Sequence, residues 1–128
     1  MRLLLDTHIL LWALTDDPRL SIPVRTLLLE PHNDVFFSAA SVWEIAIKRT
    51  LRRSEMPISA TDAIRLFHEA GYEELSISAN HTAMVETLPP LHADPFDRLL
   101  VAQALTEPMR LITHDRIVAS YSNLIFLA

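Results

Sequence analysis

Short apolar segments alternate with helix-like segments along almost the whole chain, and this alternation restricts the folds open to it. The apolar segments read "RLLL", "DVFFS", "EELSI", "RLIT" and "LIFL". Strands that alternate with helices pair in parallel, because each connection has to cross a face of the sheet before the next strand begins. The pattern therefore predicts an α/β protein, a three-layer α/β/α sandwich with a central, mainly parallel sheet.

The segments between these strands are typical of helices with defined ends. They read "THILLWAL", "SIPVRTLLLE", "SAASVWEIAIKRTLR", "SATDAIRLFHEAG", "NHTAMVETL" and "DPFDRLLVAQALTE". Gly71 ends the fourth helix, where glycine best tolerates a left-handed cap. With 128 residues, half of them hydrophobic, the chain suits one domain over 1–128 with a real core.

The composition excludes several classes of function. Gly71 is the only glycine in the chain, so the glycine-rich loops that bind nucleotide phosphates are excluded. The absence of cysteine excludes disulfides and thiolate metal sites. The apolar run before Asp6 is too short for a secretion signal or a membrane span. We therefore expect a soluble, cytoplasmic protein with no membrane partner.

Acidic residues follow the ends of several predicted strands. Asp6 follows "RLLL", Asp115 follows "RLIT", and the helix that begins at Ser38 carries Glu44. In parallel sheets, ligands bind beyond the carboxyl ends of the strands. If "RLLL", "DVFFS" and "RLIT" are parallel neighbours, these acids meet at one edge of the sheet.

Each acid alone also has an ordinary structural explanation. Asp6 and Asp94 are both placed to cap the start of a helix. Glu44 could be an exposed residue paired with Lys48 one helical turn later. Asp115 could cap a short turn. Taken singly, these explanations are as good as functional ones.

A cluster of these acids requires something to balance its charge. Two carboxylates about 4 Å apart repel by about 4 kcal/mol at an effective dielectric near 20, so a cluster needs a cation or a shared proton. Oxygen ligands select hard ions such as Mg²⁺ or Mn²⁺, which can activate a water and neutralise charge on a phosphodiester. The six histidines match no zinc spacing; apart from His8 and His114 beside the acids, they are expected at the surface or in loops.

Four segments resemble the acidic motifs of PIN domains, in particular the VapC-type ribonuclease toxins of bacterial toxin-antitoxin modules. They are "LLLDTHILLWAL", "SAASVWEIAIK", "DPFDRLLVAQAL" and "LITHD", in the order typical of that family. The resemblance implies that Asp6, Glu44 and Asp97 are the principal metal-binding and catalytic acids, with Asp115 as a fourth. It also implies that Thr113 is a supporting hydroxyl.

The resemblance further implies a PIN-like fold and an activity. The chain would be an endoribonuclease that hydrolyses RNA phosphodiester bonds with Mg²⁺ or Mn²⁺. Its partners would be an RNA substrate, a cognate antitoxin protein and a second copy of itself in a homodimer.

A basic cluster consists of Lys48, Arg49, Arg52 and Arg53. The net charge of −5 argues against general nucleic-acid binding, and cations at a helix end also interact favourably with the helix dipole. The resemblance nevertheless favours RNA contact by this cluster. Relatives often place a Gly-Lys turn after "WEIAIK", whereas this chain continues "RTLRRSEMP" without glycine.

Two other classes of protein remain as alternatives. A phosphoacceptor receiver domain is also a small α/β protein with acids at strand ends, but it needs a lysine near its last strand, and the only lysine here is Lys48. A catalytically silent binding module has no need of a repelling acid cluster, and a metal titration would separate it from the enzyme.

Overall fold

A five-stranded sheet forms the centre of the fold. The structure is a computed structural model that describes residues 1–51 and 55–128. Its strands lie in the order β3-β2-β1-β4-β5, and every neighbouring pair is parallel. The strands are β1 (Arg2–Leu5), β2 (Asp34–Ser38), β3 (Glu73–Leu75), β4 (Arg110–Thr113) and β5 (Phe126–Leu127). The predicted parallel sheet is confirmed, and "RLLL", "DVFFS" and "RLIT" are parallel neighbours, with "RLLL" in the middle.

Seven α-helices connect these strands within the part of the chain that the structure describes. They are α1 (Thr7–Thr15), α2 (Ile22–Leu29), α3 (Ala39–Leu51), α4 (Ala60–Glu69), α5 (Ala79–Met84), α6 (Pro95–Thr106) and α7 (Arg116–Ala119). A short 3₁₀ turn over Val85–Thr87 extends α5. Gly71 follows α4 with a φ of +86°, so the predicted left-handed position is confirmed. None of the helices described here is long and apolar enough to cross a bilayer.

Both faces of the sheet are covered, which explains the three consecutive leucines of β1. Leu3 and Leu5 point into a core formed with α1, α2, α3 and α4, whereas Leu4 points into a second core formed mainly with α6 and α7. All three leucines are fully buried. Burying a leucine side chain contributes roughly 1.5–3 kcal/mol, so a continuous apolar run stabilises a central strand of a three-layer sandwich.

The register of the central strands aligns their carboxyl ends. Leu5 of β1 lies opposite Phe37 of β2 and Ile112 of β4. The next residue along β1 is Asp6, whose backbone N–H donates to the Ile112 carbonyl at 3.0 Å. Asp6, the start of α3 and the end of β4 therefore lie together at one edge of the sheet.

Candidate active site

Asp6 stands where β1 ends and α1 begins, and it has two structural contacts. Its Oδ1 accepts a hydrogen bond from the backbone N–H of Ile9 at 2.9 Å, which caps α1. Its Oδ2 accepts one from the hydroxyl of Thr113 at 2.5 Å. The residue is 4% exposed, and burial raises the pKa of Asp6 above its ordinary value. Asp6 thus caps the helix and also places a nearly dehydrated carboxylate beside the end of β4.

Glu44 is held in the interior by residues of two helices. Its Oε1 accepts from the Thr7 hydroxyl at 2.6 Å, and its Oε2 accepts from Lys48 Nζ at 2.6 Å. Thr7 also contacts the hydroxyl of Ser41 at 2.9 Å. The ordinary structural explanation of Glu44 holds only in part: the pairing with Lys48 is present, but the residue is not exposed, since only 5% of it is accessible.

Asp97 lies in the first turn of α6, which Asp94 caps. The Oδ1 of Asp94 accepts from the backbone N–H groups of Phe96 at 2.8 Å and Asp97 at 3.2 Å, as expected for that residue. Burial, followed by repulsion from the charge of Asp94, raises the pKa of Asp97 to about 7. Smaller contributions in the same direction come from Asp6 and Glu44. Asp6 and Glu44 therefore lie close enough to Asp97 to act on it electrostatically.

Asp115 caps the short helix α7 and faces the same region. Its Oδ1 accepts from the backbone N–H groups of Ile117 at 2.8 Å and Val118 at 3.2 Å. Its own N–H donates to the Thr113 hydroxyl at 3.1 Å, which links it to the partner of Asp6. Burial opposes the shift, but a hydrogen bond from His92 and those from the α7 backbone hold the pKa of Asp115 below its ordinary value.

His92 is a member of this group that sequence reasoning missed. Its Nε2 lies 3.0 Å from Asp115 Oδ2 and 3.3 Å from Asp97 Oδ2. One atom of each of the three side chains lies within 4.8 Å of the other two. The sequence expectation placed His92 in a loop, which is correct, but assigned it no role. The available signal was its position five residues before Asp97, on the segment that leads into α6.

The other histidines follow the sequence expectation only in part. His81 is buried, not at the surface or in a loop as expected, because it lies in α5 and its ring contacts Glu107, the residue that follows α6. His8 and His114 are exposed and lie edge to face, with ring centroids 5.3 Å apart.

The donor set fits a hard cation. Asp6, Glu44, Asp97 and Asp115 supply carboxylate oxygens, and each such oxygen has more than one lone pair, so the hydrogen bonds described above leave further capacity for a ligand. Two basic side chains also contact these acids: Lys48 contacts Glu44, and His92 contacts Asp97 and Asp115. Mg²⁺ and Mn²⁺ prefer oxygen ligands, and either would relieve the repulsion on Asp97.

The basic cluster lies partly within the described residues. Lys48 donates to Glu44, and Arg49 Nη1 donates to the backbone carbonyl of Met56 at 2.7 Å. Arg52 and Arg53 lie outside the described residues. Contact of this cluster with RNA phosphates stays a prediction.

A groove of about 930 Å³ runs between α1 and α3 beside this site. Its lining combines apolar residues with the charged side chains of Asp17, Arg19, Lys48 and Glu55. The apolar residues are Leu11, Trp12, Ile47, Leu51, Met56 and Pro57. The groove shares Lys48 with the acid cluster, so the two features adjoin.

The fold and the acid cluster define an α/β protein with a carboxylate site at the carboxyl edge of a parallel sheet. The family model of the PIN domain matches residues 3–124. The chain therefore belongs to the PIN domain family, as the four acidic motifs indicate. No curated protein sequence matches the chain.

Three solved structures illustrate how widely this fold is shared. VapBC2 from Rickettsia felis, bound to a DNA fragment from its promoter, matches with a TM-score of 0.72 and 18% identity over 100% of this chain and 98% of that chain. VapBC-1 from nontypeable Haemophilus influenzae matches with a TM-score of 0.64 and 16% identity, over 100% of this chain and 97% of that chain. FitAcB from Neisseria gonorrhoeae matches with a TM-score of 0.65 and 19% identity, over 98% of this chain and 96% of that chain. At these identities the likeness is one of fold.

Proposed function

We propose that the chain is a Mg²⁺- or Mn²⁺-dependent endoribonuclease that hydrolyses RNA phosphodiester bonds and acts as the toxin of a toxin-antitoxin pair. Two observations support the proposal: besides burial and Asp94, the charges of Asp6 and Glu44, which are both buried, raise the pKa of Asp97, and Asp6 and Asp115 both bond to the Thr113 hydroxyl. A fold needs no such cluster, because mutual repulsion destabilises it. A divalent cation would offset this repulsion and make the cluster a catalytic centre.

The residues of the chain would divide the work as follows. Asp6, Glu44 and Asp97, with Asp115 as a fourth, would hold the cation. Bound Mg²⁺ supplies a Lewis acid that lowers the pKa of water and neutralises charge on the phosphodiester. Thr113 and Ile9 fix the Asp6 carboxylate, since each donates to a different oxygen of it.

Glu44 and Asp97 would differ in how their charge is balanced in the metal-free protein. Thr7 and Lys48 fix both oxygens of Glu44. Burial and the neighbouring acids raise the pKa of Asp97 to about 7, so this carboxyl would be partly protonated in neutral metal-free protein. It would release this proton when a cation takes over the balancing of its charge.

An antitoxin protein is the partner that the groove beside the site supports. The groove offers a largely apolar lining of the kind that an apolar segment of a partner protein fills. The names VapBC and FitAcB, carried by solved structures of the same fold, agree with the VapC-type resemblance. A homodimer is the second assembly we propose, and light scattering of the purified chain, with and without antitoxin, would test it.

The proposal is tested by RNA cleavage and metal binding with matched variants. Wild-type protein should cut RNA with Mg²⁺ or Mn²⁺ and should bind either ion in calorimetry, whereas Asp6→Asn should lose cleavage. Asp62→Asn is the control, because Asp62 is an exposed acid in the first turn of α4. A wild type that binds metal without cutting RNA would favour a silent binding module. A wild type that binds no metal would remove the proposed mechanism.

A further inference from the structure

His92 joins two of the acids without being part of the acidic motifs. We propose that His92 is a positioning residue that donates its Nε2–H to Asp97 and Asp115 and holds both carboxylates ready for the cation, without being a metal ligand itself. This inference rests on the proposed function. It starts from the contacts of the two ring nitrogens.

The backbone of Asp94 determines which ring nitrogen carries the proton. The N–H of Asp94 donates to His92 Nδ1 at 3.0 Å. An N–H group can only donate, so Nδ1 accepts and bears no proton. In a neutral imidazole the proton then lies on Nε2. This nitrogen faces Asp115 Oδ2 at 3.0 Å and Asp97 Oδ2 at 3.3 Å, so both carboxylates receive a donor.

The same contacts argue against His92 as a ligand. If Nε2 bound a cation, the ring proton would have to sit on Nδ1, where it would face the N–H of Asp94 at 3.0 Å. Two donors would then oppose each other at the start of α6. A donor role keeps this hydrogen bond, whereas a ligand role loses it.

The segment that carries His92 is anchored by the hydroxyl of Tyr121, which lies two residues beyond α7, and this hydroxyl is in turn bound by α6. The backbone N–H of His92 donates to the Tyr121 hydroxyl at 2.9 Å, and Arg98 Nη1 of α6 donates to the same hydroxyl at 3.1 Å. The His92 side chain is only 17% exposed. The ring is therefore held from its backbone, from Nδ1 and from Nε2.

Asp97 depends on His92 more than Asp115 does. The α7 backbone donates twice to Asp115 Oδ1, so that carboxylate keeps its place without His92. Among the described residues, His92 is the only side chain in ion-pair contact with the Asp97 carboxylate. Asp94, Asp6 and Glu44 all repel that carboxylate. Without His92, the Asp97 side chain should rotate away from these acids toward solvent.

Substitutions of His92 that retain or remove the donor test this role. Loss of a hydrogen-bond partner behind a metal ligand typically weakens metal binding about 10- to 100-fold. We expect His92→Ala and His92→Asn to weaken Mn²⁺ binding by that factor, because neither side chain presents an N–H at the position of Nε2. His92→Gln reaches further and should restore part of the affinity. His32→Ala is the control, since His32 is 93% exposed and pairs with Glu30.

The affinity is measured on the full chain without RNA, by the electron paramagnetic resonance signal of free Mn²⁺. Melting temperatures in EDTA show which variants are folded. If His92→Ala does not fold, the Mn²⁺ affinities of His92→Asn and His92→Gln are compared instead. Equal Mn²⁺ affinity in wild type, Asn and Gln variants would overturn the positioning role. Wild-type protein that binds no Mn²⁺ would refute the proposed function itself, and the role of His92 with it.

A spectroscopic measurement separates a donor from a ligand. Imidazole nitrogen bound directly to Mn²⁺ gives a nitrogen coupling in pulsed electron paramagnetic resonance, and a ring that only donates to the ligands does not. We expect no such coupling in the Mn²⁺-loaded wild type. A coupling that is present in the wild type and lost in His92→Gln would make His92 a ligand and overturn the inference.

Discussion

Replacing Asp97 with Asn should stabilise the metal-free protein as the pH rises and should abolish RNA cleavage. Asn keeps the size of the side chain and removes its charge. Burial and the charge of Asp94 raise the pKa of Asp97 from 3.8 to about 7. A carboxyl whose pKa is raised by folding stabilises the protein while it is protonated. That contribution is complete below about pH 4, the unfolded pKa, and is lost as the pH rises through about 7.

The size of the effect follows from the shift. A change from 3.8 to about 7 is about three pKa units, and each unit corresponds to about 1.4 kcal/mol, so the upper limit is about 4 kcal/mol. A quarter of the side chain is exposed (25%), and solvent screening reduces the expected value to about 2 kcal/mol. The free energy of unfolding of Asp97→Asn, relative to wild type, should therefore rise by about 2 kcal/mol between pH 4 and pH 8.

Asp62→Asn is a matched control for this experiment. Asp62 and Asp97 both occupy the third position of a helix whose N-cap side chain accepts their backbone N–H. Asp62 is largely exposed and lies near Arg65. Its replacement should cost about 0.3–1 kcal/mol through the helix dipole, with no gain between pH 4 and pH 8.

The assay is urea unfolding in EDTA over this pH range, combined with RNA cleavage in Mg²⁺. Asp97→Asn should be the more stable protein at pH 8 and inactive, whereas Asp62→Asn should be active. The reasoning would be refuted if Asp97→Asn were destabilised at pH 8 as much as Asp62→Asn and still cut RNA. Asp97 would then be an acid that serves only the start of α6.

Further predictions concern the metal, the hydroxyl behind Asp6 and the basic cluster. Mg²⁺ should raise the melting temperature of the wild type more than that of Asp97→Asn, because a ligand that binds only the folded state adds RT ln(1 + [L]/Kd) to the free energy of unfolding. Equal increases in the two proteins would contradict a role of Asp97 in metal binding. EDTA should abolish cleavage. Cleavage that continues in excess EDTA with the same product ends would refute the metal mechanism. Thr113→Val should lower the unfolding free energy by about 1–3 kcal/mol, because a buried oxygen of Asp6 loses its donor; Thr113→Ser should retain most of the stability, and equal losses would argue against the hydrogen bond. Replacing Arg49 and Arg52 with Ala should reduce the slope of log K for RNA binding against log salt concentration by about one unit per lost phosphate contact. An unchanged slope would show that these residues do not contact RNA and only form a solvated helix end.

Local patterns were enough to predict the architecture of this protein. A run such as Leu3–Leu5 predicts a strand covered on both faces, and the segments between the strands have the periodicity and the ends of helices. Parallel pairing then follows from the alternation, and it brings Asp6 and Asp115 to one edge without knowledge of any side-chain contact. The caps formed by Asp94 and Asp115 are equally local, because a cap and the N–H groups it accepts are separated by only two or three residues.

Contacts between elements were decided by the tertiary structure alone. Glu44 reads as an exposed partner of Lys48 along the helix; it is buried because α1 lies against α3 and brings the Thr7 hydroxyl to it. His92 and Asp115 are 23 residues apart in the chain, and only the packing of α6 and α7 on the sheet brings them together. Sequence spacing determines which side chains share a face of one element. Which side chains meet across two elements depends on the angle and depth at which those elements pack, and these are set by the whole core.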